Sequence, residues 1–209
     1  MVLDLKRKEI YDTYYVGENS SKIEVNAVTI NDTSIFAATV NGLLYAPKNS
    51  TALAASQTWK KVQNIANQGK DNLEITNLLS LGNGKILITL PIAQTTFCDA
   101  FTFDGEEWNK IFENEYIKSL RLSEGKLIKI AYRSLNIYDV NNLVNGGEIY
   151  HLSDEWNPVH GIHLDINDAI IDSQDLWLAH QTKGLIRLKD YRNGTHNKSE
   201  HFPDGPKSN

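Results

Sequence analysis

Cysteine is almost missing from this 209-residue chain: Cys98 stands alone, so no disulfide can form within it. Such scarcity fits the cytosol and equally fits exported proteins that need no bridges, so it does not set the compartment. Long apolar runs are missing too, and no stretch approaches the ~18 residues of a membrane helix. The opening Met1-Val2-Leu3-Asp4-Leu5-Lys6-Arg7 lacks the apolar segment and small-residue cleavage site of a secretory leader. If the protein is exported, its signal is expected outside this sequence. Positive charge is in deficit: 21 Lys and Arg face 26 Asp and Glu, giving −5, and the longest basic run is Lys6-Arg7-Lys8. That balance argues against a nucleic-acid partner, because phosphate backbones are held by clustered Lys and Arg. Helical periodicity is absent apart from room for a turn or two between Asn49 and Ser56.

What is present is ordinary in bulk, 41% hydrophobic and 22% charged, and informative in its repetition. Four segments share one plan. Each opens with a short strand, at Val25–Val28, Ile75–Leu78, Ile117–Leu120 and Ile166–Ala169, starting 50, 42 and 49 residues apart. Turn signals follow at Asn31-Asp32-Thr33, Gly82-Asn83-Gly84, Ser123-Glu124-Gly125 and Asp172-Ser173-Gln174-Asp175. More apolar second strands come next, at Ile35–Ala38, Ile86–Thr89, Leu127–Ile130 and Leu176–Ala179. Third strands are read at Gly42–Tyr45, Leu135–Tyr138 and Gly184–Arg187, with a longer variant at Thr95–Phe103. Fourth strands are marked by Trp59–Val62, Trp108–Ile111 and Trp156–Val159, with Asp104-Gly105 a tight-turn signal before Trp108.

Four short strands every 42–50 residues is the spacing of propeller blades. The expected fold is therefore all-β, an incomplete β-propeller of about four four-stranded blades over 1–209. The end of a preceding blade spans 1–23, with Val2–Leu5 and Glu9–Tyr15 as its last two strands. Blades follow over 24–71, 72–115, 116–164 and 165–209, the last nearly complete and closing at Phe202–Pro206. A propeller ordinarily closes its ring to protect its edges, so the chain is expected to be a fragment of a longer polypeptide.

The runs Val2–Leu5, Lys8–Asn19, Val25–Val28, Ile35–Thr39 and Asn41–Ala46, with the tail Phe202–Asn209, resemble the N-terminal propeller of PorZ-type proteins. These belong to the type IX secretion machinery of Bacteroidota. The resemblance implies two propellers followed by a C-terminal β-domain, at the outer-membrane surface, helping to supply anionic lipopolysaccharide to a sortase. Blades of two-component sensors share the pattern of Ile35–Thr39 followed by Asn41-Gly42-Leu43 and an aromatic residue; Leu90-Pro91-Ile92-Ala93-Gln94 breaks it. No catalytic or ligand residue is carried over from the family.

His160-Gly161-Ile162-His163 with Asp165 places two imidazoles three apart, but zinc sites need three or four arranged ligands, and a metal-free loop is favoured. Asp139–Glu148 is loosely like a calcium loop, yet Leu143 occupies a ligand position, so a polar linker between strands is the better reading. The pairs Glu106-Glu107 and Asp154-Glu155 could in principle act as glycosidase carboxylates, but sequence neighbours rarely face each other across a sugar. Solvated turns account for both. Gly82-Asn83-Gly84 lacks the Lys-Ser/Thr of a phosphate loop. Cys98 lies in an aromatic, strand-like run and reads as packed rather than reactive. Trp59, Trp108 and Trp156 could stack on sugars, but their recurrence at blade spacing is explained more simply by packing, and Trp177 is expected in the core.

The expected function is a non-catalytic interaction module without cofactor, part of a PorZ-like component, with secretion-complex proteins or surface polysaccharide as partners. The expected location is the periplasm or outer-membrane surface. The alternative is the extracytoplasmic glycan-sensing propeller of a hybrid two-component regulator; a propeller enzyme acting on glycans ranks third. Unpaired edges and apolar faces on the terminal sheets predict that the isolated chain is marginally stable or self-associating. Sedimentation and thermal melting test this, and a sharp monomer with one cooperative melt would count against it.

Overall fold

The computed structural model describes residues 2–4, 9–12, 14–17, 21–131, 134–143, 148–151, 166–181, 184–193 and 199–202. Two compact units divide the chain, Met1–Asn114 and Glu115–Asn209. Among the described residues helical structure is confined to 3-10 turns such as Ser56–Thr58 and Ile65–Asn67. The fold is all-β, an incomplete propeller of four-stranded blades.

In the first unit, β1 (Val2–Asp4) and β2 (Glu9–Asp12) pair antiparallel. The next sheet runs in chain order through β3 (Val25–Ile30), β4 (Ser34–Thr39), β5 (Gly42–Pro47) and β6 (Lys60–Lys61). Its neighbour comprises β7 (Asn77–Gly82), β8 (Lys85–Pro91), β9 (Cys98–Phe103) and β10 (Trp108–Glu115). Hairpin chemistry sets both registers. Asn83 and Gly84, at φ of 49° and 75°, both take the left-handed conformation that a two-residue hairpin turn demands, which Asn-Gly supplies at little cost.

The second unit repeats the plan. One sheet holds β11 (Ser119–Ser123), β12 (Lys126–Ile130), β13 (Ser134–Asp139) and β14 (Glu148–His151). The other holds β15 (Ile166–Asp172), β16 (Asp175–His180), β17 (Gly184–Leu188) and β18 (Ser199–Phe202). The fourth strand of the β11–β14 sheet is thus Glu148–His151, paired with Ser134–Ile137; Trp156–Val159, read as that strand from the sequence, lies outside the described residues.

Each unit has its own core. Phe36, Ala38 and Leu43 meet Ile75, Leu78, Ile86, Ile88, Phe101 and Trp108 between the two sheets of the first unit. Ile128, Ile130, Leu135 and Ile137 meet Ile166, Ala169, Ile171, Leu176, Leu178 and Ile186 in the second. Residues such as Leu43, Ile86 and Leu176 are fully buried, each removing apolar surface from water at roughly 1.5–3 kcal/mol per side chain. The small Ala37 and Ala38 are likewise buried.

Hydrogen bonds tie sheet to sheet within each unit. Asn31, in the β3–β4 turn, donates from Nδ2 to the Gly84 carbonyl at 2.9 Å, and Asn26 donates to the Ile75 carbonyl at 2.9 Å. In the second unit Ser123 Oγ donates to the Ile171 carbonyl at 3.0 Å and accepts from the Ile171 amide at 2.9 Å, while the Ser173 amide donates to Glu124 at 2.8 Å. Asn31 also organises its own turn, with Oδ1 accepting from the amides of Thr33 and Ser34. Asn31→Ala removes both roles and is expected to lower stability by about 1–2 kcal/mol. Asn31→Asp keeps the turn acceptor and loses only the bridge to Gly84, so urea unfolding should place it between wild type and Asn31→Ala.

Candidate functional site

A cleft of about 480 Å³ lies in the first unit, between the β3–β6 and β7–β10 sheets. Its walls come from five separate segments: the β3–β4 turn with Phe36, Tyr45 on β5, the stretch from Lys61 at the end of β6 to Asn67, Gly84 in the β7–β8 turn, and the β9–β10 hairpin. The two sheets each contribute an aromatic pair. Phe36 and Tyr45 are cross-strand partners with ring centroids 6.1 Å apart, and Phe103 stacks on Trp108 at 4.5 Å and 21°. Phe36 and Trp108 are buried in the core beneath, whereas Tyr45 and Phe103 are only partly buried. The floor is therefore the upper edge of the hydrophobic core.

The rim is polar and locally organised. Asp104 accepts from the amides of Glu106 (3.1 Å) and Glu107 (2.9 Å), closing the hairpin turn. Those two amides, Glu107's foremost, hold its carboxyl below the usual carboxylate range, so it stays ionised at neutral pH. Asn64 stands at φ 47° and its Oδ1 accepts from the Gly69 amide at 2.8 Å, shaping the turn after β6. Asn67 donates to the Trp108 carbonyl at 3.3 Å, fixing that turn to β10. The amides of Asn31, Asn64 and Asn67 are thus engaged in shaping the cleft. Glu106 and Gln63 stand on its exposed rim.

Of the sequence candidates, Trp108, Glu106 and Gly84 of the Gly82-Asn83-Gly84 turn line this cleft, and the others lie elsewhere. Trp59 borders a second cleft of about 440 Å³ with Asn41, Ser56 and Asn72, and its indole donates to the Leu53 carbonyl at 2.9 Å. Glu107 is exposed in the hairpin turn. Cys98 is buried at the start of β9. The Asp139 carboxylate accepts from the Asn141 amide at 2.9 Å and pairs with Lys126 at 3.1 Å, and both interactions depress its pKa, the amide most. Leu143 is buried. Glu148 falls in β14, while His160, His163, Asp165, Asp154, Glu155 and Trp156 lie outside the described residues. Among the described residues no three His, Cys, Asp or Glu side chains converge as a metal site requires.

Trp177 departs from the expected core position. It is half-buried, on the face of β16 opposite buried Leu176 and Leu178, and stacks on Phe202 with centroids 5.3 Å apart. Arg187 lies over its ring at 5.3 Å and donates from Nε to Asp175 at 2.8 Å. Ile170 and Leu185 are exposed on the same sheet. Its place in the second strand, matching Phe36, Leu87 and Ile128, put Trp177 among core residues; those three are buried, whereas the face of β16 that carries Trp177 is only partly covered among the described residues.

Comparison with solved structures follows from this blade geometry. The chain superposes on PorZ, described as an essential bacterial surface component of the type IX secretion system of Porphyromonas gingivalis, with a TM-score of 0.60 and 14% identity over 98% of its length. It matches the extracellular domain of a hybrid two-component system of B. thetaiotaomicron with a TM-score of 0.59 and 11% identity, again over 98%. A one-component system's extracellular domain from the same organism matches at 0.51 and 16% over 99%. The chain shares its fold with these proteins. It spans 24%, 25% and 32% of their respective lengths. No family model matches the chain. No curated protein matches it either.

The ion pairs across β16–β18 generate a pH prediction. Asp175 is held below its ordinary value of 3.8 by Arg187 first and the Asp190 amide second, and Glu200 below 4.5 by Lys189 first. Carboxyls depressed in the fold stabilise it above their unfolded values, and that stability is lost as pH falls through the folded ones. The melting temperature is therefore expected to drop as pH falls below about 4.5, and more gently in Arg187→Met. Equal acid sensitivity of wild type and variant, followed by circular dichroism, would contradict this assignment.

Proposed function

We propose that this chain is a non-catalytic interaction module, part of a PorZ-like component of the type IX secretion and cell-surface attachment machinery that handles anionic lipopolysaccharide. It would act at the periplasmic or outer-membrane surface. The observation that carries this reading is the match of nearly the whole chain to PorZ, a bacterial surface component of that system. The blade pattern supports a binding role, because turns such as those around Asn31, Asn83 and Asp104 present side chains on a rigid sheet scaffold. At the cleft wall the Thr33 hydroxyl donates to Asn31 Oδ1 at 3.4 Å and contacts the Ser34 hydroxyl at 3.3 Å, so both belong to the turn. The equally extensive match to a hybrid two-component extracellular domain favours a second reading, a glycan-sensing propeller.

Binding and turnover are measured together to test the proposal. Purified chain is titrated with anionic lipopolysaccharide and with neutral oligosaccharides, and the sugars are then sized by mass spectrometry. Saturable binding of the lipopolysaccharide with unchanged sugar length is the expected result. Shortened products would replace the module with an enzyme, and binding of neutral oligosaccharides alone would favour the sensor.

A further inference from the structure

We propose that the cleft between the β3–β6 and β7–β10 sheets is a binding site for an uncharged saccharide, a site that rests on the interaction-module reading above. Trp108 is 7% exposed and lines the cleft, where its indole N–H is a donor. The Tyr45 hydroxyl on the facing sheet adds a group that both donates and accepts. On the rim, the Glu106 carboxylate and the second oxygen of Asp104 are uncommitted acceptors.

The ligand class follows from combining these groups with the floor. A sugar ring presents C–H faces that lie against aromatic rings and, at its periphery, hydroxyls that both donate and accept. Tyr45 and Phe103 offer partly exposed rings on opposite walls. Glu106 and Asp104 would accept from sugar hydroxyls, and the Trp108 N–H would donate to one. About 480 Å³ lies within the 300–1,000 Å³ span of small-molecule sites, room for one or two sugar rings. Charge selects among saccharides: Asp104 and Glu106 stand against Lys61, which itself donates to Asn72, and Lys85, whose charge acts on Asp104, leaving no net positive charge to hold an anionic unit. The site is also preorganised, since Asn31 and Asn67 fasten its two walls together by bonds to the Gly84 and Trp108 carbonyls.

The test uses the full chain labelled with nitrogen-15, titrated with maltose, cellobiose and lactose while the four indole N–H cross-peaks are followed. The Trp108 peak, assigned by Trp108→Phe, is expected to shift saturably with at least one disaccharide. Glu106→Gln, a change at an exposed position that should leave the melting temperature unaltered, is expected to weaken that binding about tenfold. Tyr45→Phe, which removes only the hydroxyl, should weaken it several-fold. Saccharide or lipopolysaccharide binding with no movement of the Trp108 peak and no effect of Glu106→Gln would overturn the cleft assignment and leave the interaction module standing. A shift caused by an arginine-rich peptide and by none of the sugars would overturn it in favour of a basic peptide. Absence of any binding, lipopolysaccharide included, would remove both proposals.

Discussion

A strand buried on both faces must be apolar at consecutive positions, because neither side of its pleat reaches water. The second strands β4, β8 and β12 meet this requirement: Phe36–Thr39, Ile86–Leu90 and Leu127–Ile130 are continuously buried. The remaining strands are arranged around that fact. Outer strands such as β10 alternate buried Trp108 and Phe112 with exposed positions, and turns gather at the sheet ends where backbone groups can be solvated. Even the polar exceptions obey it. Lys129 sits at 3% exposure in β12, its ammonium paired with Glu115 and lying 5.6 Å over the Tyr138 ring, so the buried charge is compensated rather than isolated.

β16 shows the same rule from the other side. Leu176, Leu178 and His180 are buried while Trp177 and Ala179 are half-exposed, an alternation that marks a sheet covered on one face. The uncovered face is occupied by Trp177, Arg187, Glu200 and Phe202, with stacking, cation–π and ionic contacts running across three strands. Cross-strand pairs of this kind stabilise a sheet surface that no second sheet covers among the described residues.

The blade plan was legible because turn chemistry and the apolar second strand are both local signals. Asn83-Gly84 announces its hairpin, and Ile86–Leu90 announces its burial, without reference to any distant residue. Finer features depended on partners. β7 begins at Asn77 and not at Ile75, because the Ile75 amide donates instead to the Thr39 carbonyl of the neighbouring sheet at 3.1 Å. Trp177 read as core because it matches Phe36, Leu87 and Ile128 in the repeat, and repeat position does not reveal which face of a given sheet has a neighbour. The cleft was illegible for a similar reason: Asn31, Tyr45, Asn67 and Trp108 are far apart in the chain, and each has a sufficient local explanation as turn former or packing residue. The one available signal was the placing of Asp104-Gly105 between two aromatic residues, Phe103 and Trp108.

Several sheet-to-sheet bridges share an asymmetry. Asn26, Asn31 and Asn67 each reach from a side chain to a main-chain carbonyl, and Ser123 binds both the amide and the carbonyl of Ile171. On the receiving side, any amino acid whose backbone holds the strand or turn geometry presents the same atoms. A blade can therefore change its side chains at the receiving position without a matching change in the blade that grips it. Repetition of shape is in this way uncoupled from repetition of sequence, and blades whose residues have little in common can still be joined by the same kind of clasp.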